Sequence, residues 1–537
     1  MIYALLAAFA ACGQDTLPPL KAGMGSYQRK IHTSSPKAQA YFDQGLAMLY
    51  AFHKSTSHRS FLAATTLDPK CAMAWWGAAM ALGPDINFGT VTEEATKNAQ
   101  KELLKAADCA QDEWERDLIT TTQFRFANAD SKQRAKLDKD YSNSLAKLYK
   151  KYPNDPDVAC LYAESLLILS PWNNWTTDGK PKPGTLEAKS ALKKALKESP
   201  NHLMANHLWI HTLEASPSPQ DAVPQADRLC KLAPGLGHLV HMPSHIYLRV
   251  GQWDKAVLQN DLAIKSDTRF FKGVTPDTAY QPYMAHNHMM LTYAACMNGN
   301  KAMATATMAA FRNMVPESVV KNLAPILDAG FWMPYEVEIR FGEWDKVLAE
   351  PEVPSYLPVT VAMRCAARAV AYAAKHQPTQ AKIEYGKFCE HRKLIPDDTI
   401  VGLNSAKSIF GIADNLVQGE IEAQEKDYAS AIKHLGEGIK IEDQLSYDEP
   451  PDWIQHVRHT LGAVLLQKGD PTASLLVYKE DLERHPHNVW SLMGCSQAYA
   501  ALHQPAESLK WKKQFNDIWA DKSAPVTSSC LCLPQGR

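Results

Sequence analysis

Apolar positions along the chain recur three and four residues apart, and strand-like alternation does not compete over useful lengths. The pattern predicts helices in pairs, and the pairs repeat. Pro200 and Pro234 lie 34 residues apart and close successive units, with the strongest copy at Leu203–Leu236 and the next at Gly237–Phe270. Ala222 and Ala256, also 34 apart, sit where a second helix needs a small residue against the first. Gly251-Gln252-Trp253 reads as the turn between two helices. The same phasing places Gly45 and Phe61 in Ala38–Lys70, Ala163 in a unit starting near Pro156, and Gly299 in Ala285–Glu317. Later units are visible around Gly342-Glu343-Trp344, Tyr372 with Ala381, Tyr428 with Ala431, and Gly462 with Gly469 and Pro486.

Each pair leaves an apolar face open and needs its neighbours to bury it. Small residues let helices approach, and prolines near repeat ends stop the second helix. A helix–turn–helix period of this length is that of the tetratricopeptide repeat (TPR). The predicted fold is all-α: a TPR-type right-handed superhelical solenoid of roughly ten to twelve helix pairs. Residues 21–150 read as N-terminal repeats, 151–318 as central repeats and 319–520 as C-terminal repeats. Two stretches interrupt the register: Ser170–Gly184 within a unit and Phe271–Met284 between units. Loops of that length are often functional, and tolerated surface insertion is the other reading.

Composition adjusts this picture little. A chain of 537 residues is too long for one core unless it is a quasi-linear array. Lys plus Arg is 57 and Asp plus Glu is 58, so the net charge of -1 leaves no footprint for nucleic acid or an anionic membrane surface. Eleven cysteines show no CxxC pair, which argues against a disulfide scaffold. Cys530 and Cys532 are close neighbours in a polar tail, 521–537, expected to be disordered. Within residues 1–20, the run Met1–Cys12 is too short to span a bilayer and suits the apolar part of an export signal. Phe9-Ala10-Ala11-Cys12 approximates a lipoprotein box, which would place a lipid anchor at Cys12. The absence of a preceding Lys or Arg, and Phe at the first box position, count against it. Export to the periplasm or cell surface is the expectation, with a cytoplasmic chain as the alternative.

The inner wall carries the candidate chemistry. In TPR units, positions 2, 5, 9 and 12 of the first helix face the groove. His207, His211 and Glu214 take positions 5, 9 and 12 of one unit, and His238, His241 and His245 take positions 2, 5 and 9 of the next. His286 takes position 2 of a third, and Cys160 and Glu164 take positions 5 and 9 of the unit at Pro156. Eight of the 19 histidines lie between His202 and His288, where an even spread would place about three. His207 with His211, and His241 with His245, are i,i+4 pairs that share a helix face. Together they could offer three or four imidazoles to one Zn, Cu or Fe ion. His238 and His286 are further candidate ligands, and Glu164 or Glu214 is the candidate oxygen ligand or general base. Pro243 suits a first helical turn, so His241 is expected just before regular helix. His202 and His288 are expected on loops or repeat contacts. Tyr447–Trp453 (YDEPPDW) reads as a rigid elbow, followed by Arg458 and by His456 and His459 at positions 2 and 5. No Gly-rich phosphate loop, HExxH, GxSxG or CxxC motif is present.

AYFDQGLAMLY (Ala40 to Tyr50), LDPKCAMAWWGAAMALGP (Leu67 to Pro84), HLVHMPSHIYLRVGQWDKAV (His238 to Val257) and YDEPPDW resemble segments of a group of bacterial TPR-domain proteins with an HMPSH signature. The resemblance covers nearly the whole chain, implies a TPR superhelix and carries over no activity. Ser57, where most repeats have Ala, and the Cys-containing tail depart from the pattern. Two functions follow. One is a metal-dependent hydrolase or oxidase acting on a small substrate in the groove. The other is a non-catalytic scaffold binding a peptide or protein partner, which is what most TPR arrays do. Carboxylate clamps of Lys, Arg and Asn, usual in peptide-binding grooves, are missing from the middle of this one.

Overall fold

The computed structural model describes residues 17–314, 317–322 and 324–533. The apolar run Met1–Cys12 therefore lies outside the described residues. The chain is an all-α TPR-type solenoid. The two short strands among the described residues, Ile400–Val401 and Asn404–Ser405, pair as one small hairpin. No described helix is long and apolar enough to cross a membrane.

The chain divides into two compact units. The first runs to Ile246 and takes in Gln259–Met284; the second comprises Tyr247–Leu258 and the chain from Ala285. In the first, Pro36–Tyr50 packs on Lys54–Leu67, Ala72–Ala81 on Glu93–Cys109, and Glu113–Gln123 on Arg134–Lys151. Pro156–Ile168 then packs on Thr185–Glu198, and Leu203–Leu213 on Val223–Leu232. In the second, the pairs include Met333–Arg340 with Trp344–Ala349, Pro358–Ala374 with Pro378–Arg392, and Ala406–Gln424 with Tyr428–Glu442. Val457–Lys468 with Pro471–Arg484 and Val489–Ala501 with Pro505–Ile518 complete them.

Local chemistry explains these boundaries. Several helices start on proline at the first turn, where a missing N–H costs nothing, as at Pro36, Pro156, Pro378, Pro471 and Pro505. Ser35, Asp155 and Asp470 cap the following amides with their side-chain oxygens. The small residues read from the repeat are needed for contact. A Cβ on Gly45 would lie 2.8 Å from the Phe61 ring, and one on Gly462 would lie 2.3 Å from the Tyr478 ring. The turn glycines Gly251, Gly299, Gly342 and Gly469 all have positive φ, between +68° and +86°. His376, Lys426 and His503 hold the same left-handed conformation at turns between other helix pairs.

Residues 521–533 correct the expectation of a disordered tail. Ala524, Val526, Ser528, Ser529, Cys530, Cys532 and Leu533 are buried in the second unit. Ser529 donates to the His459 carbonyl at 2.8 Å, and Arg340 donates to the Ser529 carbonyl at 3.3 Å. Polar composition suggested exposure, but the serines satisfy buried groups and the apolar residues alternate with them into the core.

Candidate metal centre

The helix Leu203–Leu213 is buried along its whole length, as expected for a segment with apolar residues on every side. It therefore carries His207 and His211 into the interior. The next first-helix is broken. Pro243 has no N–H to give the carbonyl four residues back, so Gly237–His241 ends and Pro243–Arg249 begins anew. His241 thus ends a short helix of its own before the proline, rather than lying ahead of regular helix, and His245 sits on the helix after it. His207, His211, His238, His241 and His245 are each at most 4% exposed.

The ring contacts share one arrangement. His207 Nδ1 lies 2.8 Å from the carbonyl oxygen of Tyr50. His211 Nδ1 and His245 Nδ1 lie 3.0 and 2.8 Å from the two oxygens of Glu214. His241 Nδ1 lies 2.6 Å from Asn260 Oδ1. Carbonyl and carboxylate oxygens only accept, so each of these Nδ1 atoms carries its proton. In the neutral ring of His207 or His211 the lone pair is then on Nε2, where it faces a neighbouring ring. His207 Nε2 is 3.1 Å from both His211 Nε2 and His238 Nε2, and His241 Nε2 is 2.7 Å from His245 Nε2. Nδ1 of His238 is buried without a hydrogen-bond partner.

Electrostatics disfavour the charged form at two of the rings, His207 and His238. Burial, reinforced by neighbouring imidazoles, holds His207 and His238 well below the ordinary histidine range. Burial pushes Glu214 up, but the His211 and His245 rings outweigh it and hold the carboxyl below its usual range. Glu214 is therefore an ionised anchor. Both its oxygens are engaged by Nδ1 atoms, so it fixes the orientation of both rings.

Glu164 occupies a different environment. It is 3.6 Å from the Arg125 guanidinium, in a cavity it shares with Lys54, Asp85 and Tyr50. Burial raises its carboxyl, and Arg125 offsets part of the rise. Cys160 lies 3.8 Å from His202 Nδ1. His202 caps the helix Leu203–Leu213 and bonds Asp157 at 3.0 Å. His286 lies on the helix Gln281–Met297, beyond residue 284 where the first unit ends.

The residues around the cluster came from no motif. Phe52 packs its ring 4.7 Å from His207 and 5.4 Å from His238. Trp172, from the Ser170–Gly184 interruption, lies 5.6 Å from His211 and 6.5 Å from His245. Tyr283, from the Phe271–Met284 interruption, lies 4.7 Å from His238. Asn87 joins the last two, accepting from Trp172 Nε1 at 3.0 Å and donating to the Tyr283 hydroxyl at 3.2 Å. Phe52 and Trp172 both have φ of +59°. The other non-glycine residues with positive φ among the described residues are His or Lys. A bulky aromatic held there costs about 1–3 kcal/mol, and such strain concentrates at functional sites. The signal in the sequence was small: a Phe at the turn position that glycine fills in four other helix pairs.

No protein-family model matches the chain, and no curated protein does. Among solved structures, the human IFIT1 dimer with PPP-AAAA aligns over 91% of this chain and 92% of its own, at 13% identity and a TM-score of 0.32. The Cut9–Hcn1 hetero-tetramer of APC/C aligns over 92% of this chain and 75% of its own, at 11% identity and a TM-score of 0.30. At such scores the likeness says nothing of what this chain binds.

Proposed function

We propose that the first unit is a metal-binding TPR domain that holds a transition-metal ion on Nε2 of His207, His211 and His238, with His241 and His245 as a second, adjacent ligand pair. The observation that carries this reading is the set of facing Nε2 lone pairs. Two bare lone pairs 3.1 Å apart repel unless a cation lies between them. Two nitrogens each about 2.1 Å from one ion stand about 3.0–3.4 Å apart, for angles between a right angle and the tetrahedral value. A proton would serve the same purpose, but burial disfavours imidazolium at His207 and His238.

The chemistry we favour is oxidative, on Cu or Fe, with a small substrate. Glu214 has both oxygens taken and Glu164 is held by Arg125, so neither is placed as the general base that hydrolysis needs. An all-imidazole set beneath aromatic walls suits Cu and Fe. The alternative, a non-catalytic scaffold for a peptide or protein, has the helical-repeat architecture in its favour. Burial supports the metal reading: an extended peptide needs groove side chains it can reach, and these five histidines are almost fully enclosed. Elemental analysis of protein purified without an affinity tag tests the proposal. Near-stoichiometric Cu, Fe or Zn is expected. No metal, before or after incubation with each ion, would return the chain to the scaffold reading.

A further inference from the structure

The C-terminal segment brings a softer set of donor atoms into the second unit. Cys530 and Cys532 are 2% and 1% exposed, and their sulfurs are joined as a disulfide. They sit in a core cluster with Val417, Ile421, Leu461 and Leu465. Glu420, on the helix Ala406–Gln424, is 1% exposed in the same place. Its Oε1 accepts from Thr460 at 3.3 Å and lies 3.8 Å from Cys530 Sγ. Its Oε2 is buried without a hydrogen-bond partner. Ligand atoms of the three residues all lie within 4.8 Å of one another. Arg340, 2% exposed, donates to the carbonyl of Ser529, the residue before Cys530, and its Nε has no partner.

We infer that, once the disulfide is reduced, Cys530, Cys532 and Glu420 form a site for one soft monovalent cation, Cu(I). A dithiol reductant supplies two electrons and two protons, becoming a disulfide itself, and leaves two thiols. Cu(I) then binds their sulfurs and displaces both protons. The product, one Cu(I) with two thiolates and the Glu420 carboxylate, carries two negative charges, and the Arg340 guanidinium, held at the neighbouring Ser529 carbonyl, offsets one. Thiolates select soft ions, and three donors in an apolar enclosure suit Cu(I). A structural Zn site closes with four ligands, and this one offers three. The same sulfurs serve the disulfide or the metal, never both, so the site opens only under reducing conditions. It is independent of the histidine centre.

The test uses full-length protein carrying His207→Ala, His211→Ala, His241→Ala and His245→Ala, so that no proposed pair of histidine ligands remains to compete. After reduction with a dithiol, the protein is titrated without oxygen against Cu(I) held by a chromophoric chelator. One equivalent is expected to transfer, with thiolate-to-copper absorption in the ultraviolet. Cys530→Ser/Cys532→Ser should weaken this about a hundredfold or more, and the disulfide form should take up none. Equal uptake by the disulfide form or by the double-serine variant overturns the inference. If a variant does not fold, X-ray absorption on native protein decides. Copper–sulfur scattering in the reduced form alone supports the site, and its absence there overturns it.

Discussion

Both units bury a histidine cluster, and the two are built on opposite principles. In the second unit every ring nitrogen of His456 and His459 meets a protein partner of complementary kind. His459 Nδ1 lies 3.1 Å from an Arg340 guanidinium nitrogen, which only donates, so His459 is protonated on Nε2 and donates to Asp481 at 3.0 Å. His456 Nδ1 bonds Glu442 at 2.8 Å, and its Nε2 lies 3.0 Å from the Tyr293 hydroxyl. Asp481 also accepts from Asn488 and Ser491. Both rings of that network are fully satisfied by the protein. In the first unit the anchors sit on Nδ1 at four of the five rings, and the Nε2 atoms are aimed at each other. Clustering of histidines is common to both; which nitrogen carries the proton separates a structural network from the proposed ligand set.

Four comparisons would break or sharpen that contrast. The largest effect belongs to the ligands: His207→Ala or His238→Ala should weaken metal binding by more than about a hundredfold, whereas His456→Ala should leave metal content unchanged. Competition against a chelator of known affinity measures both. Next comes the anchor. Glu214→Gln should cost about 10–100-fold in affinity, because Nδ1 of His211 and His245 loses its carboxylate. A loss as small as that of an exposed glutamate would show that Glu214 orients nothing.

In the second unit the effect should appear as stability. His459→Ala removes one buried partner from each of Arg340 and Asp481, at about 1–3 kcal/mol. Urea unfolding should report this loss while metal content stays the same. The smallest effect is that of acid on the metal-free protein. His207 and His238 are held well below 6.5, and His456 is pushed down to about 3, each chiefly by burial. Below pH 6.5 the unfolded chain therefore binds more protons than the folded one. Stability is complete above that value and falls as pH drops toward the folded pKa values. Bound metal should make the fall steeper, since protons also displace it. A metal-free protein equally stable at pH 7 and pH 5 would contradict the neutral assignment.

Much of the architecture was legible in the sequence, because a repeat writes its packing at fixed intervals. Gly45 against Phe61 and Gly462 against Tyr478 are contacts that the small positions announced. The histidines at positions 5 and 9 did converge. His238, at position 2, joins them: its Nε2 lies 3.1 Å from that of His207. Glu164 shows the limit of register: position 9 put it on the inner wall, but Arg125, from another repeat, captured it. Phe52, Trp172, Tyr283 and Asn260 were not legible. Loop residues or contacts across helices, they follow no period, and only the Ser170–Gly184 and Phe271–Met284 interruptions hinted where aromatic cover would come from. The tail was misread because serines that cap buried groups look, in sequence, like serines in solvent.

The most direct test of the metal reading is a crystal of metal-loaded protein, with anomalous scattering recorded at the absorption edge of the bound element. A peak about 2.0–2.2 Å from Nε2 of His207, His211 and His238 is expected, with no peak at His456 or His459. A map without a peak at those Nε2 atoms in metal-saturated crystals would contradict the account.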